Sequence, residues 1–162
     1  MKKIFIPILL LILCVGTILP LFNSGFFDFH DNTQVVRVSQ MHKSLVDGMF
    51  PVRWVDGLGY GYGYPIFNFY APLPYYFGAL FMLLGFGALT STKLMLGFGI
   101  LLSSLTMFFL VRKNLGTNSG IVSSVIYAYL PYHAVNIYVR GAVGELFAYA
   151  FLPIIFIGLF NL

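Results

Sequence analysis

Apolar residues come in long blocks along this chain, separated by short polar breaks. Residues 4–22, 72–89, 94–111, 121–139 and 146–160 consist mainly of Leu, Ile, Phe, Val, Ala and Gly. Apolar runs of this kind predict membrane helices. Pro7 and Pro20 sit near the ends of the first block, where they disturb a helix least. The second block is short and opens with Pro72-Leu73-Pro74. Arg112-Lys113-Asn114 and the stretch from Gly116 to Gly120 close the third block with a turn. The fourth carries Pro131, Tyr132 and His133, and Arg140 to Glu145 form a polar break before the fifth.

Residues 23–71 make one long loop with order of its own. Asp31-Asn32-Thr33-Gln34 reads as a helix start, with Asp31 capping and Gln three positions later. Val38, Met41, Leu45 and Met49 then recur at helical spacing, with Gln34, Arg37, Lys43 and Asp47 on the remaining surface. Gly48 and Pro51 are stop signals. The prediction is an amphipathic helix of about 17 residues, too polar to span, lying on the membrane with its apolar side down. Next come Gly57-Leu58-Gly59-Tyr60-Gly61-Tyr62-Gly63-Tyr64. Glycine at every second position weakens a helix, and tyrosine favours the water–lipid boundary. Residues 57–76 therefore read as an interfacial loop, whose rings could also stack on a sugar.

Composition narrows the class. The chain has 162 residues, 59% of them hydrophobic and 9% charged, with a mean hydropathy of +0.89. Soluble domains are about 25% charged, and disordered chains are poor in apolar residues. Both are excluded, and the expected fold is all-α, a polytopic transmembrane helical bundle with a juxtamembrane amphipathic helix in the first extracytoplasmic loop. The net charge of +4 forms no basic stripe, so no nucleic acid partner is expected. Cys14 stands alone in an apolar run and reads as a core residue. Lys2 and Lys3 before the first block fit an uncleaved span with a cytoplasmic N-terminus, which implies an integral protein of a cell membrane.

Topology turns on residues 72–89. If all five blocks cross, Arg112-Lys113 falls outside, against the positive-inside rule. If residues 72–89 are re-entrant or a short surface segment, Arg112-Lys113 is cytoplasmic and Glu145 faces outward. The second arrangement is preferred, at the mild cost of Lys93 outside. It puts all five acids, Asp28, Asp31, Asp47, Asp56 and Glu145, on one outer face as a single candidate site.

Carboxylates are scarce here, so each invites a chemical reading. Asp28, His30 and Asp31 lie within four residues just past the first block. Either acid could act as a general base toward an acceptor hydroxyl. Asp31 is also a natural helix cap, and Asp28 a plain loop carboxylate. Glu145 follows Arg140-Gly141-Ala142-Val143-Gly144. The pair reads either as a turn-closing ion pair or as a site acid beside an arginine suited to phosphate. His42 reads as exposed and His133 as hydrogen-bonded near a span's end. Asp28, His30, Asp31 and Glu145 could offer ligands to a divalent metal, but their spacing fits no ligand motif, and no metal or other cofactor is expected.

Several stretches then read together. They are Phe27-Asp28-Phe29-His30-Asp31, Gly48 to Trp54, Gly61 to Tyr76 with its Tyr64-Pro65-Ile66-Phe67-Asn68-Phe69-Tyr70, and Tyr138 to Glu145 with Arg140-Gly141-Ala142-Val143-Gly144-Glu145. The set resembles the bacterial and archaeal membrane proteins labelled "6-pyruvoyl-tetrahydropterin synthase-related domain". These are similar to GT-C membrane glycosyltransferases. The pterin name implies no chemistry here, because nothing reproduces that synthase's zinc–histidine site. The resemblance implies a prokaryotic plasma membrane, a GT-C-like fold and a sugar donor carried on a polyprenyl phosphate. It implies inverting transfer to an extracytoplasmic acceptor, with Asp31 or Asp28 as base and Glu145 as second acid. Arg140 would hold the lipid phosphate, and Arg53 with the Tyr60–Tyr64 loop, Tyr62 and Tyr64 included, would seat the donor beside His30. Adjacent first-loop acids are common in such enzymes, whereas Asp28 and Asp31 are separated. The chain is shorter than a complete enzyme of this type, so residues 1–162 are expected to be one N-terminal membrane module of a longer protein. The alternative is a non-catalytic membrane protein that binds lipid-linked glycans or assists envelope polymer assembly.

Overall fold

The structure is a computed structural model that describes the chain apart from Met1, Phe26, Phe27 and Phe29, and gives backbone alone for residues 2–5. Helices α1 (Lys2–Ile18), α2 (Gln34–Val46), α3 (Leu73–Leu83), α4 (Ala88–Leu115), α5 (Thr117–Ala128), α6 (Pro131–Val135) and α7 (Val143–Leu159) follow one another. A 3-10 turn at Leu19–Phe22 extends α1, and a π-helical turn at Asn136–Arg140 links α6 to α7. Among the described residues there is no strand, only an antiparallel bridge between Val55 and Tyr64. The chain divides into two compact units, Asp31–Met95 and Met1–His30 with Leu96–Leu162, and the division falls within α4.

Among the described residues, α4 is the one helix long and apolar enough to cross a membrane. Ile6–Phe22, α3 and α7 are apolar but shorter. Within the 72–89 block, α3 covers 11 residues, and Ala88 and Leu89 already belong to α4. At 1.5 Å per residue α3 is about 16 Å long, roughly half the hydrocarbon core. The 94–111 block lies within the longer α4. The 121–139 block is not one helix: α5 ends at Ala128, and the chain restarts at Pro131. Proline there has no N–H to continue the ladder and suits a first helical turn.

The larger unit packs through small residues. Gly116, at φ 86 and ψ 175, turns α4 into α5 in a single residue, a conformation glycine adopts freely. A Cβ on Gly120 would come within 3.0 Å of the Phe108 ring, so this glycine sets how closely α5 approaches α4. Cys14 is fully buried, as expected of a core residue, and its Sγ lies 3.3 Å from Ser104 Oγ. Gly99 gives room to Leu146 and Phe147 of α7 in the same way.

The smaller unit overturns three expectations. The helix start is Thr33, not Asp31, because Arg37 N donates to Thr33 O at 3.0 Å and Gln34 is the first helical residue. The inward face of α2 is mixed rather than apolar: Gln34, Arg37 and Ser44 are buried with Val38 and Met41, while Val36 and Val46 are exposed. That face packs on α3 instead of lying bare toward a membrane. Gly78 makes the approach close, since a Cβ there would sit 2.7 Å from Val38 Cγ2. His42, expected to be exposed, is half-buried.

Candidate functional site

Asp31 sits at the centre of a network within the smaller unit. Its Oδ2 accepts from Arg37 Nη1 at 2.6 Å and Gln34 Nε2 at 3.1 Å, and its Oδ1 accepts from Thr33 Oγ1 at 2.7 Å. Arg37 lies one α-helical turn past Thr33, which brings its guanidinium back over the helix start. Tyr75 of α3 donates to Gln34 Oε1 at 2.6 Å and accepts from Arg37 Nη1 at 3.4 Å. The guanidinium also stacks on Tyr70, 4.1 Å from its ring centre. Burial works against the Arg37 charge, but Tyr75 and then Asp31 outweigh it and hold its pKa above the usual value. A carboxylate has about four lone-pair sites. Arg37 and Gln34 occupy those of Oδ2, so an acceptor hydroxyl could approach Oδ1, on a side chain that remains 27% exposed.

Beyond α2 the chain runs into the Gly–Tyr loop. Val55 and Tyr64 exchange backbone hydrogen bonds at 2.8 and 3.0 Å, which closes residues 55–64 into a small hairpin. Tyr60, with φ 57, and Tyr62 project fully from its tip, and Tyr64 is half-exposed. Gly63 leaves room for the Trp54 indole, whose Cε2 lies 2.6 Å from where a Cβ would be. Arg53 Nη1 donates to Asn68 Oδ1 at 3.2 Å. Gly57 N donates to Gln40 Oε1 at 3.0 Å, tying the hairpin's base to α2.

The second cluster belongs to the larger unit. Arg140 meets Glu145 fork to fork, Nη1 to Oε2 at 2.8 Å and Nη2 to Oε1 at 2.7 Å. Tyr132 donates to Glu145 Oε2 at 2.9 Å and accepts from Arg140 Nη1 at 2.9 Å, and Arg140 Nη1 also donates to Asn136 Oδ1 at 2.9 Å. Gly141, left-handed at φ 68, reverses the chain so that Glu145 in the first turn of α7 faces Arg140. A carboxylate is favoured at that helix N-terminus. Hydrogen bonds from Arg140 and then Tyr132 hold the Glu145 carboxyl below its ordinary pKa. Both charged side chains are partly exposed, 39% and 45%, so an incoming phosphate would find Arg140 accessible but already bidentate.

Asp28 and His30 are exposed, and the flanking Phe27 and Phe29 of that stretch lie outside the described residues. His30 N donates to Val139 O at 3.0 Å, which fastens this stretch beside the Arg140 turn. The five acids divide between the units: Asp28 and Glu145 in one, Asp31, Asp47 and Asp56 in the other. Asp56 lies 3.8 Å from Lys43 in an exposed pair. His133 departs from expectation, since neither ring nitrogen has a partner among the described residues. Sequence reasoning missed Tyr132, Asn136, Arg37, Gln34 and Tyr75 as members of these clusters. Spacing signals existed for Asn136, four residues before Arg140, and for Arg37, on the same helix as Gln34. Tyr75 had none. No family model, curated protein or solved structure matches this chain.

Proposed function

We propose that the chain is a polytopic membrane module of a GT-C-like glycosyltransferase, set in a prokaryotic plasma membrane with its N-terminus inside. It transfers a sugar from a polyprenyl-phosphate donor to an extracytoplasmic hydroxyl. The acceptor oxygen bonds to the sugar's anomeric carbon while the bond from that carbon to the phosphate oxygen breaks. The acceptor proton goes to Asp31 Oδ1, or to the exposed Asp28, and polyprenyl phosphate leaves. Arg140 offsets the charge on the departing phosphate. The observation that carries this reading is the Arg140–Glu145–Tyr132 cluster, a partly exposed guanidinium held rigidly where an apolar helix begins. Arg53 and the exposed rings of Tyr62 and Tyr64 offer a surface for the donor sugar.

The test is transfer of labelled sugar from its polyprenyl phosphate in vesicles that hold the protein with all the sequence its gene encodes. Asp31→Asn, normalised to folded protein, lowers turnover by about 10²–10⁴-fold, the usual contribution of a general base. Unchanged turnover removes Asp31 from the mechanism. A second reading, glycan-lipid binding without chemistry, is favoured by one observation: both Asp31 and Arg140 already hold a charged partner. Donor binding by the wild-type protein with no turnover of any acceptor would establish it.

A further inference from the structure

Two buried polar groups in the Leu96–Leu162 portion lack partners. His133 is 2% exposed, and neither Nδ1 nor Nε2 is hydrogen-bonded among the described residues. Asn136 is 1% exposed with Nδ2 in the same condition. For Asn136 the cause is visible: Arg140 can only donate, so it takes Oδ1 and commits the amide nitrogen to the buried side. At positions i and i+3, His133 and Asn136 share a helix face. Buried polar groups are nearly always paired, and the exceptions point to a partner such as water, an ion or a ligand.

Beside His133 lies a cavity of about 300 Å³, with Thr17, Ile100, Tyr129, Ile137 and Tyr138 in its wall. Its lining also includes Pro20, Leu130 and Ala134, which are exposed. The wall hydroxyls are already engaged with backbone carbonyls: Thr17 donates to Cys14 O, Tyr129 to Leu13 O and Tyr138 to Thr17 O. Among the described residues, no charged side chain lines it. Tyr127 and Tyr149 meet the imidazole by ring contact, at 5.3 and 4.6 Å.

We propose that this cavity binds a neutral, hydrocarbon-rich alcohol whose hydroxyl pairs with His133. The apolar wall suits a hydrocarbon body. A carboxylate or phosphate would be buried there with no cation to balance it. A hydroxyl serves either tautomer of a neutral imidazole, donating to the bare nitrogen or accepting from the N–H. The proposal is independent of sugar transfer.

The experiment uses the protein in lipid vesicles with three photoreactive probes of equal chain length: a ten-carbon alcohol, the matching carboxylate and the matching alkane. Labelled peptides are mapped by mass spectrometry. The alcohol labels residues 128–138 about tenfold more than either other probe, and excess 1-decanol displaces it. His133→Leu brings alcohol labelling down to the alkane level, and Ile137→Trp removes both by filling the space. In the wild-type protein, the imidazole ¹⁵N resonances of His133 shift as 1-decanol is added. Equal labelling by alcohol and alkane, labelling that 1-decanol does not displace, or unmoved imidazole resonances would each overturn the proposal. The last two readouts need no variant, so misfolding of a mutant cannot mask the result.

Discussion

The two units each carry a carboxylate–guanidinium pair, and the pairs are built in opposite ways. Arg37–Asp31 is mostly buried, with side chains 9% and 27% exposed, and depends on Tyr75 and Gln34, which are 41 residues apart. Arg140–Glu145 is partly exposed and made within one short stretch, from Tyr132 to Glu145. The first pair is part of how α2 meets α3. The second is set by a turn and a helix start, and the hydrogen bonds that build it all fall between Tyr132 and Glu145. An ion pair of the first kind stabilises a fold chiefly because breaking it strands a buried charge. One of the second kind contributes little to stability, and its exposed groups remain available to a ligand.

Arg37→Met is the sharpest way to break this contrast. It leaves the Asp31 carboxylate with only neutral donors and removes the stack on Tyr70. Loss of one partner from a buried pair costs about 3–5 kcal/mol, and the partial exposure of Asp31 brings the expectation to about 2–3 kcal/mol. Reversible unfolding in detergent measures it. A cycle with Asp31→Asn should return a coupling of at least about 1 kcal/mol. Additive single effects would mean that the two side chains do not act together.

Gly78→Leu tests the packing around that network without touching its charges. The new side chain meets Val38, whose Cγ2 would lie 2.7 Å from the Cβ. Overpacking of this sort costs about 1–3 kcal/mol, partly offset by the better helix propensity of leucine. Amide exchange should speed up in α2 and α3 while α5 and α7 keep their protection. A uniform change across the chain would show that the α2–α3 contact is not a local unit of stability.

How much of this was legible follows the same division. Apolar blocks marked helices because their signal is local, and Cys14 read correctly as core. Glu145 and Arg140 were found together because they are five residues apart. The inward turn of Gln34 and Arg37 was not legible. Polar residues on an amphipathic helix read as its solvent face unless a partner is known, and the partner here is Tyr75 on another helix. The break at residues 129–130 was signalled by Pro131 but overridden by the length of the apolar run. His133 misled for the opposite reason, since a place near a span's end does not by itself supply a hydrogen-bond partner, and the ring meets Tyr127 and Tyr149 instead.

The smallest expected effect sharpens the comparison from the other side. Glu145 has its pKa lowered by Arg140 and Tyr132, so folding favours its charged form. The linked stability is fully present above the unfolded glutamate pKa and is lost as pH falls through the lower folded value. The window therefore lies on the acid side of the ordinary carboxylate range. Carbonyl ¹³C shifts of Glu145 followed against pH should give a midpoint below that of an unstructured peptide. Arg140→Gln should move it up toward the peptide value, and Tyr132→Phe should move it by less, because Arg140 is the larger cause. The unfolding midpoint at neutral pH should barely respond to either change. A large loss of stability instead would mean that this exposed cluster holds the fold as the Asp31 network does, and is not the accessible site that distinguishes the two units.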